Sequence, residues 1–188
     1  MAIILASASP RRRELMELLG LPFTVSVSGA AEPLPETRLT VRENLKRIVA
    51  AKLFPARAGH FEDTVIAADT VVVLGGEYFG KPRDADDAMR MLGLLSGRTH
   101  GVYTGVSVAR GDYSEFICEK TLIKFRALTR DDISAYIESG RYADKAGAYG
   151  IQDSDFVRSL NGDWFNVMGL PLGRVRTALH NAGAYLLR

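Results

Sequence analysis

The stretch that decides the fold is residues 63–80, DTVIAADTVVVLGGEYFG. Its apolar residues run almost without alternation, which is typical of a strand of parallel type that is buried on both faces. Gly75 and Gly76 then predict a tight turn into a short partner strand. Because a strand buried on both faces needs helices to cover its sheet, this stretch predicts that the rest of the chain supplies such helices.

Helix signals stand on both sides of this strand. A short apolar run at residues 2–6 is followed by Ser9 and Pro10, which have the residue types of an N-cap and a first helical position. A β-hairpin is predicted to turn near Gly111. Further helices are predicted to begin at Thr40, Asp84, Thr129 and Pro171. The first of them begins with a T-x-x-E capping box and is predicted to end before Pro55. The predicted fold class is therefore α/β (mixed α+β), with a central twisted mixed β-sheet flanked by helices.

Composition and charge narrow the function classes. The chain has 188 residues, of which 47% are hydrophobic and 24% charged, as expected for one folded domain spanning 1–188 with one or two lobes. The single cysteine, Cys118, excludes an internal disulfide and a cysteine zinc site. With no apolar run of membrane-spanning length and no signal-peptide pattern, we expect a cytoplasmic protein without a membrane partner. A net charge of +2 is too balanced for a duplex-binding protein and favours a small anionic ligand.

Asp69 differs from the apolar residues around it. It lies within VIAADTVVVL, where even a neutral polar group without a partner costs about 2–7 kcal/mol to bury. We interpret it as a catalytic or metal-binding carboxylate, the alternative being a strand-end carboxylate that bonds to a neighbouring loop. Thr70 can reach the same ligand only if the strand ends, twists or bulges there, because adjacent strand residues point to opposite faces.

Three consecutive arginines, Arg11–Arg13, lie at the predicted start of the first helix, after the small residues 6–9. A helix N-terminus combined with arginine side chains resembles a phosphate site. Helical residues are rotated by about 100° from one to the next, so one or two of the three could bind one anion. The alternative is surface pairing with Glu14 or Glu17.

Two lysines are further candidates for an anion site. Lys52 continues the buried stripe of its helix, so it either extends past the edge of the core or directs its ammonium group into a site. Lys81 precedes Pro82, which favours an extended backbone, and is either a phosphate contact or a solvated side chain. Three aspartates at the start of the next helix are better explained by capping and by the helix dipole than by a metal site: Asp84, Asp86 and Asp87.

Six blocks occur in order along the chain: LASASPRRREL, AADTVV, GKPRDADDA, LSGRTHGVYTGV, DKAGAYGIQ and VMGLPL. They resemble the motifs of the Maf proteins, which are nucleoside triphosphate pyrophosphatases with an ITPase-like fold and an active site in the cleft between two lobes. The resemblance implies hydrolysis between the α- and β-phosphates with a divalent cation, Mg²⁺ or Mn²⁺. It also implies a possible homodimer, no stable nucleic-acid partner, and a house-cleaning role linked to cell division.

The resemblance also implies roles for single residues. Asp69 would be the proton acceptor that activates water, and Lys81 would assist catalysis as a cationic contact. Glu32 would be catalytic as well and, together with Asp69, would hold metal or water. The phosphate-binding residues would be Ser7, Arg11, Arg12 and Lys52.

Three positions distinguish subgroups of the family. Arg11, Thr70 and Gln152 resemble the dTTP/UTP-hydrolysing subgroup rather than the one acting on 7-methyl-GTP, so the implied substrates are dTTP, UTP and modified uridine triphosphates. The chain departs from the family pattern at Ala31, where a second acid is frequent, and in the short segment DSDFV after Gln152. The alternatives are a non-catalytic nucleotide- or nucleic-acid-binding regulator of septum formation and a purine-directed ITP/XTP pyrophosphatase.

Overall fold

The computed structural model describes residues 1–27, 29 and 31–184. Within them lie seven strands, six α-helices and one short 3₁₀ segment, Ala146–Ala148. None of the helices in these ranges combines the length and the apolar character that a membrane span requires. The strands are β1 Ile3–Leu5, β2 Thr24–Val25, β3 Thr64–Leu74, β4 Glu77–Phe79, β5 Thr99–Arg110, β6 Tyr113–Phe125 and β7 Val157–Asn161. The helices are α1 Pro10–Leu18, α2 Val41–Arg57, α3 Ala85–Leu95, α4 Arg130–Glu138, α5 Trp164–Met168 and α6 Leu172–Asn181.

The strands form a mixed sheet in the order β2-β1-β3-β5-β6-β7, with β4 paired to β3. β1 runs parallel to β2 and to β3, whereas the β3–β4 and β6–β7 pairs are antiparallel. The glycine turn after β3 and the hairpin between β5 and β6 both form where the sequence places them. The predicted mixed sheet flanked by helices is therefore confirmed.

The chain divides into two compact units, and each has its own core. The first unit comprises Met1–Asp69, Thr104–Glu119 and Gly169–Arg188. In it, helix α2 packs Val49 and Leu53 against β1 and the first half of β3. The facing strand residues are small or β-branched, which lets the helix lie close to the sheet: Ile4, Ala6, Val65 and Ala67.

The second unit comprises Thr70–Tyr103 and Lys120–Met168, and aromatic rings fill its core. Phe125 contacts the rings of His100, Tyr149 and Phe156 edge to face. His100 Nε2 lies 2.8 Å from the Tyr149 hydroxyl oxygen, and burial lowers the pKa of His100 to about 4. The imidazole is therefore neutral at neutral pH and serves as a core residue.

The capping predictions are confirmed for three helices. The Thr40 side chain accepts from the Glu43 N–H, and the Glu43 side chain accepts from the Thr40 N–H. Thr129 forms an equivalent box with α4. The Asp84 carboxylate accepts from the Asp87 N–H at 2.8 Å, which agrees with a capping role for this acidic group.

Two boundary predictions are wrong. Helix α2 does not end before Pro55 but continues to Arg57, since Leu53 and Ala56 stay buried on one side and their burial keeps the last turn helical. The alternating stretch PFTVSVSG, residues 22–29, predicts a strand over its whole length, but the strand is reduced to Thr24–Val25, and Ser28 lies outside the described residues.

A buried asparagine fixes the loop that leads into α2. Asn44 is 1% exposed, and its amide nitrogen donates to the Glu36 carbonyl at 2.9 Å. Its amide oxygen accepts from the Glu36 N–H at 2.8 Å. One side chain therefore makes two hydrogen bonds to the backbone of one loop residue.

We expect Asn44→Ala to destabilise the fold. It leaves partly buried backbone groups of Glu36 without the Asn44 side chain as a partner, at a cost of about 1–3 kcal/mol. In a chain of this size, each kcal/mol lowers the melting temperature by about 2–4 °C, which thermal unfolding measures. Lys46→Ala, at an exposed position of the same helix, is the matched control and should leave the melting temperature nearly unchanged. Equal melting temperatures for Asn44→Ala and the control would contradict this account.

Candidate functional site

The parallel pairing of β1 with β3 places the end of β1, which leads to Ser7, beside the part of β3 that leads to Asp69. Leu5 is the register partner of Ile66, and the Ala6 N–H donates to the Ile66 carbonyl at 2.7 Å. β1 ends there and the chain passes through Ser7 into α1, whereas β3 continues through Asp69. The carboxyl end of a parallel strand followed by a helix N-terminus is a common location for ligand sites in α/β proteins.

Asp69 and Lys52 meet because a strand and a helix present the same packed face. Asp69 follows Val65 and Ala67 in strand alternation, so it continues the face that packs against α2. Lys52 lies three residues after Val49 on the buried side of that helix. Lys52 Nζ is 2.5 Å from Asp69 Oδ1, and the two side chains are 15% and 17% exposed.

The Lys52 ammonium also contacts a second carboxylate. Its Nζ lies 3.1 Å from Glu32 Oε1, on a side chain that is 56% exposed. One cation therefore joins a strand residue, Asp69, to a loop residue, Glu32. Two carboxylates that share one ammonium group also provide oxygen ligands of the kind that Mg²⁺ and Mn²⁺ prefer.

Arg12 is the buried member of the arginine triplet. Its Nε donates to the Gly169 carbonyl at 2.9 Å, and its Nη1 donates to Ser7 Oγ at 3.2 Å. Burial lowers the pKa of the Arg12 guanidinium below its ordinary value, and the charges of Asp69 and Glu32 act in the opposite direction. The guanidinium remains charged because arginine loses its proton only at very high pH.

The other residues at the start of α1 differ in exposure. Arg11 is half-buried and Arg13 is exposed. Ser9 occupies the N-cap position as predicted, but its side chain makes no capping hydrogen bond to α1. The backbone N–H of Ser9 donates to Ser7 Oγ at 3.3 Å. The N-terminal end of α1 thus carries the positive end of the helix dipole next to arginine side chains, which favours an anion.

The remaining predicted residues, Thr70, Lys81 and Gln152, belong to the second unit. β3 does not end at Thr70 but runs on to Leu74, so strand alternation directs Asp69 and Thr70 to opposite faces. Lys81 is exposed in the link between β4 and α3. Gln152 is exposed in a turn after the 3₁₀ segment.

Two of the three aspartates near α3, Asp84 and Asp87, make hydrogen bonds at the start of that helix. Asp87 accepts from the Arg83 N–H and from the Arg90 guanidinium, and it donates its own N–H to Asp84. The described part of the chain contains no group of three or more histidine, cysteine, aspartate or glutamate side chains suited to a metal ion. The capping interpretation of this cluster agrees with the contacts.

Two groups near the candidate residues are not among the residues predicted from the sequence: the Gly169 carbonyl and the Lys145 side chain. The Gly169 carbonyl accepts from Arg12, and the type of a residue does not reveal what its backbone oxygen binds. Lys145 is 8% exposed and pairs with Asp144 and Asp153 at 3.0 and 3.3 Å. A lysine among the small and aromatic residues of DKAGAYGIQ is the signal that could have identified it.

The sequence has many relatives of closely similar length. A dTTP/UTP pyrophosphatase of Thermotoga maritima is 46% identical over 186 residues, which cover 97% of this chain and 90% of the relative. The dTTP/UTP pyrophosphatase of Myxococcus xanthus is 45% identical, with coverage of 96% and 92%. That of Symbiobacterium thermophilum is 42% identical, with coverage of 96% and 94%.

Solved structures give a weaker likeness. A nucleoside-triphosphatase/dITP/XTP pyrophosphatase from Mycobacterium abscessus superposes with a TM-score of 0.45 at 15% identity, covering 98% of this chain and 96% of the other. The family assignment therefore rests on sequence. The family model described as "Maf-like protein" matches residues 2–182. The chain belongs to the Maf family.

Proposed function

We propose that this protein is a nucleoside triphosphate pyrophosphatase that hydrolyses dTTP and UTP to the nucleoside monophosphate and pyrophosphate. The observation that carries the proposal is the contact of Lys52 Nζ with both Asp69 and Glu32, beside the arginine-bearing start of α1. The relatives named as dTTP/UTP pyrophosphatases align over nearly the whole chain and support the same reaction.

The phosphates bind at the start of α1. Arg11 supplies a guanidinium group, and Ser7 and Arg12 form the buried base of this phosphate region through their mutual hydrogen bond. Guanidinium groups match phosphate oxygens because their N–H donors lie in a planar fork. Since Arg12 is also held by the Gly169 carbonyl, it is oriented before the nucleotide arrives.

Asp69 is the proton acceptor for the attacking water. Its carboxylate is held by Lys52 on a strand rather than on a loop, which restricts its position to the accuracy that general-base catalysis requires. Attack of that water on the α-phosphorus forms the new P–O bond and breaks the bond to the oxygen that bridges the α- and β-phosphates. The water proton passes to Asp69, and pyrophosphate leaves.

The carboxylates of Glu32 and Asp69 fit a divalent cation. Mg²⁺ is commonly held by one or two carboxylates together with substrate phosphates rather than by a complete protein cage, and this donor set has that composition. Glu32 and Asp69 are therefore the residues that would hold Mg²⁺ or Mn²⁺. When bound, the ion supplies charge neutralisation at the phosphates.

Gln152 is the residue that contacts the nucleobase, and Arg11 and Thr70 are two further specificity positions, with Thr70 acting from the face of β3 opposite Asp69. Lys81 assists catalysis as a further cation at the phosphates. A glutamine side chain has one acceptor and two donor hydrogens, so it can pair with the donor and acceptor edge of uracil or thymine. We further propose that residues 1–188 act as one functional domain in the cytoplasm, as a homodimer, on free nucleotides that include modified uridine triphosphates.

Pyrophosphate release from a panel of nucleoside triphosphates tests the reaction. We expect turnover of dTTP and UTP with Mg²⁺ or Mn²⁺, slower turnover of ITP and 7-methyl-GTP, and loss of all turnover in EDTA. Faster turnover of ITP than of UTP would instead assign the chain to the purine-directed class. Nucleotide binding without any turnover would favour the non-catalytic regulator.

We expect Asp69→Asn to abolish hydrolysis while nucleotide still binds, because the amide cannot accept the proton from water. A loss of about 10²–10⁴-fold in kcat is the usual effect of removing a general base. Pyrophosphate release gives the rate, and calorimetric titration with UTP gives the affinity. Asp112→Asn, at the exposed hairpin turn, removes the same charge away from the site and should retain full activity. Retained turnover in Asp69→Asn would remove the assignment of the base.

We expect Gln152→Glu to reduce the preference for uracil over cytosine. A carboxylate lacks the donor that the uracil carbonyl needs, but it can accept from the cytosine amino group. The ratio of kcat/KM for UTP to that for CTP should fall by about tenfold or more, since one mispaired polar contact has an effect of this order. Because Gln152 is exposed, the substitution should leave the melting temperature unchanged. An unchanged ratio would exclude Gln152 from base selection.

A further inference from the structure

The proposed base-selecting residue, Gln152, lies in a tight turn. The Asp153 N–H donates to the Gly150 carbonyl at 3.1 Å, which closes a four-residue turn with Ile151 and Gln152 at its centre. Ile151 is 6% exposed and belongs to the aromatic core, whereas Gln152 is exposed. The turn therefore places the Ile151 side chain in the core and leaves the Gln152 side chain exposed.

Side chains fasten this turn at both ends. At its start, the Gly150 N–H donates to the Tyr136 hydroxyl oxygen at 3.1 Å. At its end, Asp153 Oδ2 lies 3.3 Å from Lys145 Nζ. The Ser154 hydroxyl also donates to the Gly150 carbonyl at 3.0 Å. The two ends of the turn are thus tied to α4 and to Lys145, the residue before the 3₁₀ segment.

The Lys145–Asp153 ion pair differs from an ordinary surface pair. The side chains are 10% and 25% exposed, so the charges attract each other with less solvent screening than on an open surface. A side chain at residue 150 would collide with the pair, since a Cβ atom there would lie 2.4 Å from Asp153 Oδ2 and 2.7 Å from Lys145 Cε. The glycine lets the ion pair lie directly against the backbone of the turn.

The segment that leaves the turn is held separately. The Arg126 guanidinium pairs with Asp155 at 3.0 Å and with Asp132 at 2.8 Å, and the Arg126 N–H donates to the Phe156 carbonyl at 2.9 Å. Asp155 is 80% exposed and lies outside the turn. Removing its charge therefore changes the same acidic segment without changing the Lys145–Asp153 pair.

We propose that Lys145 and Asp153 are positioning residues that hold the turn so that Gln152 can select the nucleobase. The inference rests on the proposed function, because it assigns a cause to the selectivity of that reaction. The pair itself touches no nucleotide in this account. It acts through the closure of the turn, and its loss leaves Gln152 present but poorly oriented.

Asp153→Asn is the informative variant, because Lys145 keeps Asp144 at 3.0 Å and the fold is not left with an unpaired buried charge. We expect the Asp153 amide to exchange with deuterium about tenfold faster in the nucleotide-free protein, as the closing hydrogen bond opens more often. With UTP, KM should rise about fivefold while kcat changes less than about twofold, because base binding is disturbed and the general base is not. The ratio of kcat/KM for UTP to that for CTP should fall as well.

Two variants control this experiment. Asp155→Asn removes the same charge two residues away and should leave the exchange rate at Asp153, the KM for UTP and the nucleotide preference unchanged. Asp153→Glu keeps the negative charge and should restore part of the preference that Asp153→Asn loses. A merely structural pair would lower the melting temperature in Asp153→Asn without moving KM or preference.

The outcomes separate the two proposals. If wild-type protein hydrolyses UTP and Asp153→Asn keeps the same KM and preference, the positioning role is overturned and the pyrophosphatase function stands. If exchange at Asp153 is unchanged, the ion pair does not hold the turn and the inference is likewise wrong. If wild-type protein hydrolyses no pyrimidine nucleoside triphosphate, the proposed function itself fails, and the positioning role fails with it.

Discussion

The contact of one lysine ammonium with two carboxylates is the constraint around which the first unit is organised. Lys52 reaches Asp69 only because α2 packs closely on β1 and β3, and close packing requires the small residues Ala6 and Ala67 at that interface. The helix must also begin at the right residue, which the Thr40 capping box and the loop contacts of Asn44 ensure. The Lys52–Asp69 pair is largely shielded from solvent, so removing one partner costs more than the pair contributes.

The two units obtain their rigidity in different ways. In the first, helix α2 packs against the sheet through aliphatic and small side chains, and charged groups lie near the carboxyl end of β1. The second has edge-to-face aromatic rings and a buried neutral His100 in its core. Ile151 joins the turn to this core, so the aromatic core fixes the position of the turn that carries Gln152, the proposed selective side chain.

Much of this structure follows from local sequence signals, and the exceptions have physical causes. Capping boxes and glycine turns act over a few residues, so the start of α2 and the turn after β3 could be predicted. Asp69 could be selected as a candidate because a carboxylate in an apolar strand is costly without a partner. Its pairing with Lys52 depends on how α2 packs on the sheet, which periodicity alone does not determine. The continuation of α2 beyond Pro55 has the same origin, because burial outweighs a local helix-stop signal.

The charged groups of the first unit cannot by themselves distinguish one nucleobase from another. Two positive groups, Arg12 and Lys52, lie near two negative ones, Asp69 and Glu32, so these four nearly cancel. A nucleoside triphosphate adds further negative charge, and it is neutralised by Arg11, Lys81 and a divalent cation in the proposed reaction. All nucleoside triphosphates carry the same phosphates, so groups that recognise phosphate cannot tell uracil from cytosine. Selectivity therefore requires a side chain with both a donor and an acceptor in a fixed orientation, and in the proposed function that orientation comes from the turn around Gln152 rather than from the residue alone.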